Sequence, residues 1–369
     1  MKVTRTGQLA GLVVAGALAL TGCGTDNNTQ GATGGTPTGG SSSSIACATG
    51  DVKGAGSTFQ KNIVAQWIKD YTAACSGATI DYQGIGSGAG IKQFSSGTID
   101  FAGSDSTMKP DEQAAADKQC GSPALHLPVT AGGIAIAYNL KDVKGLQLSP
   151  ASIAAIFEGK VAKWDDALIK ADNPGTTLPS IAVTAVHRDD SSGTTDVLSK
   201  YLAATAGSAW TLGTGKELKW PASVQGASKS DGVTQAVAGT EGGVTYVEKS
   251  FVDAGSLSAA KVKNGAGEYA ELSADTVTKA LGGATVPASG NDLKVKYDFT
   301  NTTPGAYPVT AVSYEIVCSK GKDAAKQALL KSFLTYAVGD GQKDADATGF
   351  APLPSTLVAR VTTAVGTLS

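Results

Sequence analysis

A-T-I-D-Y-Q-G-I-G-S-G-A-G-I-K-Q-F, residues 78–94, places an extended apolar and polar alternation, a glycine run and a new apolar spacing in direct succession. Residues Ala78 to Gln83 read as a short strand, Gly84 to Gly90 as a glycine turn and Ile91 to Phe94 as a helix start. The same grammar occurs just before it. Gly54-Ala55-Gly56-Ser57-Thr58-Phe59 leads into Lys61 to Ala74, where Ile63, Val64, Trp67, Ile68 and Tyr71 share one face of a predicted helix. It occurs again downstream: Val183 to Val186 is a strand, H-R-D-D-S-S-G-T-T-D follows at residues 187–196, and Val197 to Leu202 continues as a helix. Gly132 to Leu140 is a buried type of strand, and Ser149-Pro150 is an N-cap and first-turn pair for a helix through Phe157. Gly243 to Val247 and Val309 to Cys318 supply later strands. Such alternation predicts an α/β protein with mainly parallel sheets, whose ligands sit beyond the carboxyl ends of the strands. No repeat of solenoid period is present.

The N-terminus bears on compartment. Lys2 and Arg5 precede an apolar run, Leu9 to Leu20, too short for a stable bilayer anchor and suited to a secretory signal. Leu20-Thr21-Gly22-Cys23 resembles the lipobox of bacterial lipoproteins, in which the cysteine becomes the lipid-modified first residue. The expectation is a signal peptide over residues 1–22, a flexible Gly/Ser/Thr linker over 23–46, and a folded part from Cys47. Removing 1–22 takes away two cations and no acids, so the formal charge moves from −2 to −4. A mildly acidic chain is a poor partner for nucleic acid, and anion binding must come from local geometry. The remaining cysteines, Cys47, Cys75, Cys120 and Cys318, are even in number, which in an exported chain favours two disulfides over a metal site. Three pairings are possible; Cys47 with Cys75 and Cys120 with Cys318 is preferred because the first pair flanks one strand–helix unit. Two histidines leave little for zinc, and no metal or cofactor is expected.

Four loops at predicted helix starts offer hydroxyls and backbone N–H groups on small residues: Ser57 to Phe59, Gly86 to Gly88, Ser104 to Ser106 and Arg188 to Thr194. Each alone reads as an ordinary N-cap. Together, all following strands, they can converge on one anion, with Arg188 as the full positive charge.

G-A-G-S-T-F (54–59), D-Y-Q-G-I-G-S-G-A-G (81–90), D-F-A-G-S-D (100–105), F-E-G-K-V-A-K-W-D-D (157–166), R-D-D-S-S-G-T-T (188–195) and G-G-V-T-Y-V-E (242–248) run in order through nearly all of the folded region. This set resembles the phosphate-binding lipoproteins of high-affinity phosphate ABC transporters. The resemblance implies two α/β lobes, residues 47–130 with 308–369 and residues 131–307, closing on the ligand like a trap. It implies crossings near Pro128 to Gly133 and Tyr307 to Val312. The phosphate contacts it implies are Thr58, Phe59, Ser87, Asp105, Arg188, Ser192, Gly193 and Thr194, with Asp190 steadying the arginine. The partners it implies are inorganic phosphate and permease subunits driven by a cytoplasmic ATPase, met by a monomer anchored through Cys23 at the outer face of the bacterial cell membrane. Ser191 and Ala89 stand where the family often has glycine, so a positive φ required at 191 would be strained.

Three other readings compete. Gly84-Ile-Gly-Ser-Gly-Ala89 fits a dinucleotide fingerprint, but an exported chain meets no ready nicotinamide pool. A phosphatase or serine hydrolase built on Ser192 needs a base, and only His126 and His187 exist. A binder of sulfate or molybdate shares the fold logic and differs only in the site. The reading carried forward is a non-catalytic phosphate binder.

Overall fold

The computed structural model describes residues 45–369. Cys23, the signal segment and almost all of the linker lie outside the described residues.

The first three strands carry the motif grammar read above. β1 (Gly50–Gly56) feeds α1 (Lys61–Ala74), β2 (Ala78–Gly84) feeds α2 (Ser87–Ser95), and β3 (Phe101–Ser104) feeds α3 (Pro110–Cys120). α1 spans the residues the spacing predicts and buries Ile63, Val64, Trp67 and Tyr71. α2 starts at Ser87, four residues before the apolar spacing signals it, because Gly86 takes φ 94° at the N-cap and the glycine run is itself the first helical turn. Next come β4 (Ala124–Tyr138), β5 (Gln147–Leu148), α4 (Pro150–Phe157) and α5 (Ala167–Asp172). Ser149 caps α4 by accepting from Ser152 N, as its Ser-Pro start requires.

The chain then builds β6 (Thr184–Arg188), α6 (Gly193–Thr205), β7 (Gln225–Ala227), α7 (Lys229–Ala238), β8 (Gly243–Glu248) and α8 (Lys249–Ala254). Three short strands follow, β9 (Ser258–Ala259), β10 (Lys261–Lys263) and β11 (Tyr269–Ala270), then α9 (Ala274–Leu281). β12 (Thr310–Cys318), α10 (Ala324–Val338) and α11 (Ser355–Gly366) complete the fold.

The main sheet has nine strands in the order β2-β1-β3-β12-β4-β8-β6-β7, with β9 on β4. Its two ends are parallel: β1 with β2 and β3, and β6 with β7 and β8. Its middle is antiparallel, β12 with β3 and β4, and β4 with β8. The expected sheet was mainly parallel. Helical crossovers return the chain to the same end in the outer units, whereas β4 and β12 run between the two lobes in opposite senses. β4 is the shared element: Ala124 to Gly133 pair with β12 and Ile134 to Tyr138 pair with β8. All fifteen of its residues are buried, since helices or sheet neighbours cover both faces.

Cys47 is bonded to Cys75 at the end of α1, and Cys120 at the end of α3 to Cys318 at the end of β12. The second bond spans 198 residues and so removes the larger amount of freedom from the unfolded chain. Among the described residues, no helix is long and apolar enough to cross a membrane.

Candidate functional site

The carboxyl ends of β1, β2, β3 and β6 point into the seam between the lobes. Thr58 and Phe59 follow β1, Ser87 opens α2, Asp105 follows β3, Arg188 ends β6, and Ser192, Gly193 and Thr194 form the start of α6. These eight residues are all buried, Arg188 among them at 3% exposure. Polar groups withdrawn this far from water require partners, and most have them.

Arg188 is held from two sides. Its Nε and Nη2 donate to the two carboxylate oxygens of Asp190 at 2.6 and 2.5 Å, the bidentate fork that fixes a guanidinium plane. Its backbone N–H donates to Tyr246 Oη at 3.0 Å, and the same phenol bonds Thr195 Oγ1 at 2.6 Å, so one ring ties the arginine to α6. Burial pushes the Asp190 carboxyl up, and the Arg188 hydrogen bond and charge more than reverse this, leaving it below the ordinary value. Nη1 is the freer edge of the guanidinium, 3.5 Å from Ser230 Oγ.

Asp105 faces the arginine across the seam. Its Oδ1 accepts from Ser57 Oγ at 2.5 Å and Ser313 Oγ at 2.7 Å, while Oδ2 has only Thr194 Oγ1 at 3.5 Å. Burial pushes this carboxyl above its usual range, and the Ser57 and Ser313 hydroxyls and the Arg188 charge pull it back only in part. The free oxygen is therefore turned toward the start of α6. There Ser192 Oγ accepts from Thr195 N at 3.2 Å, and the first i to i−4 bond runs from Asp196 N to Ser192 O. The Gly193 and Thr194 N–H groups precede that bond and lie at the positive end of the helix dipole. A Cβ on Gly193 would come 2.5 Å from Ser87 Oγ and 2.8 Å from Asp105 Oδ2, so glycine keeps the gap open.

The site also contains residues outside the expected set. Ser230, in the first turn of α7, bonds Thr58 Oγ1 through its hydroxyl at 2.7 Å and donates its N–H to the same atom at 3.3 Å. Lys229 before it has φ 65° and donates its N–H to Asp190 Oδ1 at 3.0 Å. β7 is only three residues long, too short for hydrophobic pattern to reveal; the available signal was S-K-S-D, residues 228–231, a capping sequence. Ser313 and Tyr246 lie on strands and read as core. The strain expected at Ser191 does not arise, because Lys229 and Ser256 are the only described non-glycine residues with positive φ. Its carbonyl instead accepts Gly88 N at 2.9 Å and joins α2 to the start of α6. Ala89 lies within α2.

Both histidines are engaged elsewhere. His126 bonds Asp292 through Nδ1 at 2.7 Å and accepts Met108 N through Nε2 at 3.0 Å, and burial depresses its basicity. His187 stacks on Trp220 at 4.8 Å between centroids and contacts Arg188 O at 2.9 Å. Among the described residues, no group of three or more His, Cys, Asp or Glu is arranged to hold a metal ion.

A family profile described as the PBP superfamily domain matches residues 32–340. The chain is 39% identical over 373 residues to phosphate-binding protein PstS 3 of Mycobacterium tuberculosis, covering all of both chains. It is 34% identical over 319 residues to phosphate-binding protein PstS of Xylella fastidiosa, covering 84% of this chain and 83% of that one. The chain belongs to the PstS family. Solved structures resemble it in fold. A high-affinity periplasmic phosphate-binding protein (PfluDING) bound with phosphate superposes with a TM-score of 0.70 at 23% identity, over 85% of this chain and 93% of that one. The phosphate-binding protein of Stenotrophomonas maltophilia gives 0.66 at 20%, over 85% and 94%.

Proposed function

We propose that this chain captures inorganic phosphate between its lobes and delivers it to an ABC transporter permease with a cytoplasmic ATPase. One observation carries the reading: an anchored guanidinium and open helix starts face a carboxylate whose Oδ2 is turned to the same gap. Positive groups alone accept any oxyanion. A carboxylate among them accepts a hydrogen bond only from an anion that still carries a proton, as phosphate does near neutral pH and sulfate does not.

The direct contacts are Thr58, Phe59, Ser87, Asp105, Arg188, Ser192, Gly193 and Thr194, with Asp190 holding the arginine. Residues 47–130 with 308–369 form one lobe and 131–307 the other, and they open about the crossing strands β4 and β12. The protein binds without turnover: Ser192 Oγ serves as a helix cap and both imidazoles are committed to other bonds. A monomer, held by lipid on Cys23 at the outer face of the cell membrane, meets the permease at high effective concentration. Calorimetric titration with phosphate and with sulfate tests the reading. Tight phosphate binding with sulfate weaker by orders of magnitude is expected; equal binding of both would refute it.

A further inference from the structure

Lys216 lies in the segment between α6 and β7, outside every motif that suggested the anion site. Its side chain is nevertheless only 6% exposed. Its backbone and its ammonium act in different places. The Lys216 carbonyl accepts Ser192 N at 3.0 Å, and so holds the N-cap of the helix whose start faces the anion. The Lys216 Nζ crosses the seam to Glu112 Oε2 on α3 at 2.8 Å. Glu112 is itself fixed, because the same oxygen accepts Lys109 N at 2.8 Å in the first turn of α3. Gly215 N, one residue earlier, donates to Ser199 Oγ on α6 at 3.1 Å, which keeps the loop against that helix.

Other polar contacts cross the same seam, and their exposure ranks them. Lys61 and Asp231 pair at 3.0 Å, but their side chains are 41% and 56% exposed, and a pair so well solvated contributes little. Lys216 and Glu112, at 6% and 23%, are screened far less, so their attraction in the closed state is stronger.

We propose that Lys216 is the closing latch of the anion site: its ammonium bonds the opposite lobe while its carbonyl positions the helix start that binds the anion. The latch rests on the phosphate reading of that site. Lys216 touches no ligand in this account; it is a positioning residue whose pairing with Glu112 slows release. When the lobes part, the pair separates, both charges become hydrated and the Ser192 end of α6 loses one of its restraints. Capture depends on diffusion into the open form, so the association rate depends little on the pair.

The test measures radiolabelled phosphate release from the full chain, wild type against Glu112→Gln, Lys216→Met and the exchanged pair Lys216→Glu with Glu112→Lys. Glu112→Gln keeps an oxygen for Lys109 N and leaves the Ser192 loop untouched, so it breaks the ion pair alone. Both single variants should release phosphate at least roughly tenfold faster, with association changed less than about threefold. The exchanged pair should recover a slow release, and the melting temperature of phosphate-free Glu112→Gln should stay at the wild-type value. If wild type binds phosphate and Glu112→Gln releases it at the wild-type rate, the latch is overturned and the site reading stands. If wild type binds no phosphate, the site reading fails and the latch fails with it. Faster release accompanied by an equal fall in the melting temperature of the empty protein would mark a merely structural pair and also overturn the latch.

Discussion

Replacing Asp105 by asparagine tests the proton-reading role of this carboxylate. The outcome can be worked from its hydrogen bonds. Ser57 and Ser313 both donate to Oδ1, so in Asp105→Asn the amide oxygen takes that place and the NH2 falls where Oδ2 was, toward Gly193. The acceptor for a proton on phosphate becomes a donor. Phosphate then loses one charge-assisted hydrogen bond, worth about 1.5–3 kcal/mol. Sulfate exchanges a repulsive acceptor for a donor and gains by a comparable amount. Discrimination between the two ions should therefore narrow by roughly two to four orders of magnitude, with phosphate still bound in the mutant through Arg188 and the helix starts. Calorimetric titrations of both ions on both proteins from about pH 5 to 9 measure this. Burial raises the Asp105 pKa, so in the wild type its protonation reaches into a less acidic range than for a free carboxyl and weakens phosphate binding there. The mutant should lack that part of the decline. In the empty protein the raised value means that its contribution to stability is complete at low pH and is lost as pH rises through the folded pKa. A wild type that binds sulfate as well as phosphate, or a mutant that keeps full discrimination, would show that Asp105 is only a buried cap.

Arg188→Lys removes the fork that meets Asp190 through Nε and Nη2, and phosphate affinity should fall by about 30-fold or more while the empty protein melts within a few degrees of wild type; an unchanged dissociation constant would remove Arg188 from the site. Glu248 is fully buried, and burial pushes its carboxyl from 4.5 up to about 8, with the Ser250 hydroxyl and N–H bonds lowering it only in part. Its raised value favours the neutral acid in the fold, so stability is lost as pH climbs from about 4.5 toward about 8, by up to several kcal/mol. Glu248→Gln should flatten this slope in thermal unfolding across that range, and parallel wild-type and mutant curves would contradict it. Cys23→Ser should move the protein from the membrane fraction to the medium without changing its phosphate affinity, and an unchanged membrane fraction would count against lipidation.

How legible the site was depended on sequence distance. Arg188 and Ser192 to Thr194 lie within seven residues, and Ser87 sits inside its own glycine run, so local pattern pointed to them, whereas the role of Asp190 came from the family resemblance. Ser313 reaches Asp105 from a strand 208 residues away, and Ser230 reaches Thr58 across 172. A lone serine in an apolar strand carries no signal of what it will face. The helices of the outer units were readable for the same local reason, while the antiparallel middle was not, since strand direction there is set by where the chain crosses between lobes. Lys216 was invisible because an irregular segment has no period, and only the fold brings it to Glu112.

The place of β12 in the sheet has a consequence for the order of folding. It lies between β3 and β4 although it is the last strand in the chain, and Cys120 waits for Cys318 at its end. Until residues 310–318 exist and arrive, the sheet of the first lobe is missing a central strand and β4 presents an unpaired apolar edge. Contacts of such long sequence separation form late. Closing of the sheet is thereby deferred until nearly the whole polypeptide has been made. A chain ending before Thr310 should accordingly remain open to protease, whereas the full chain should resist it.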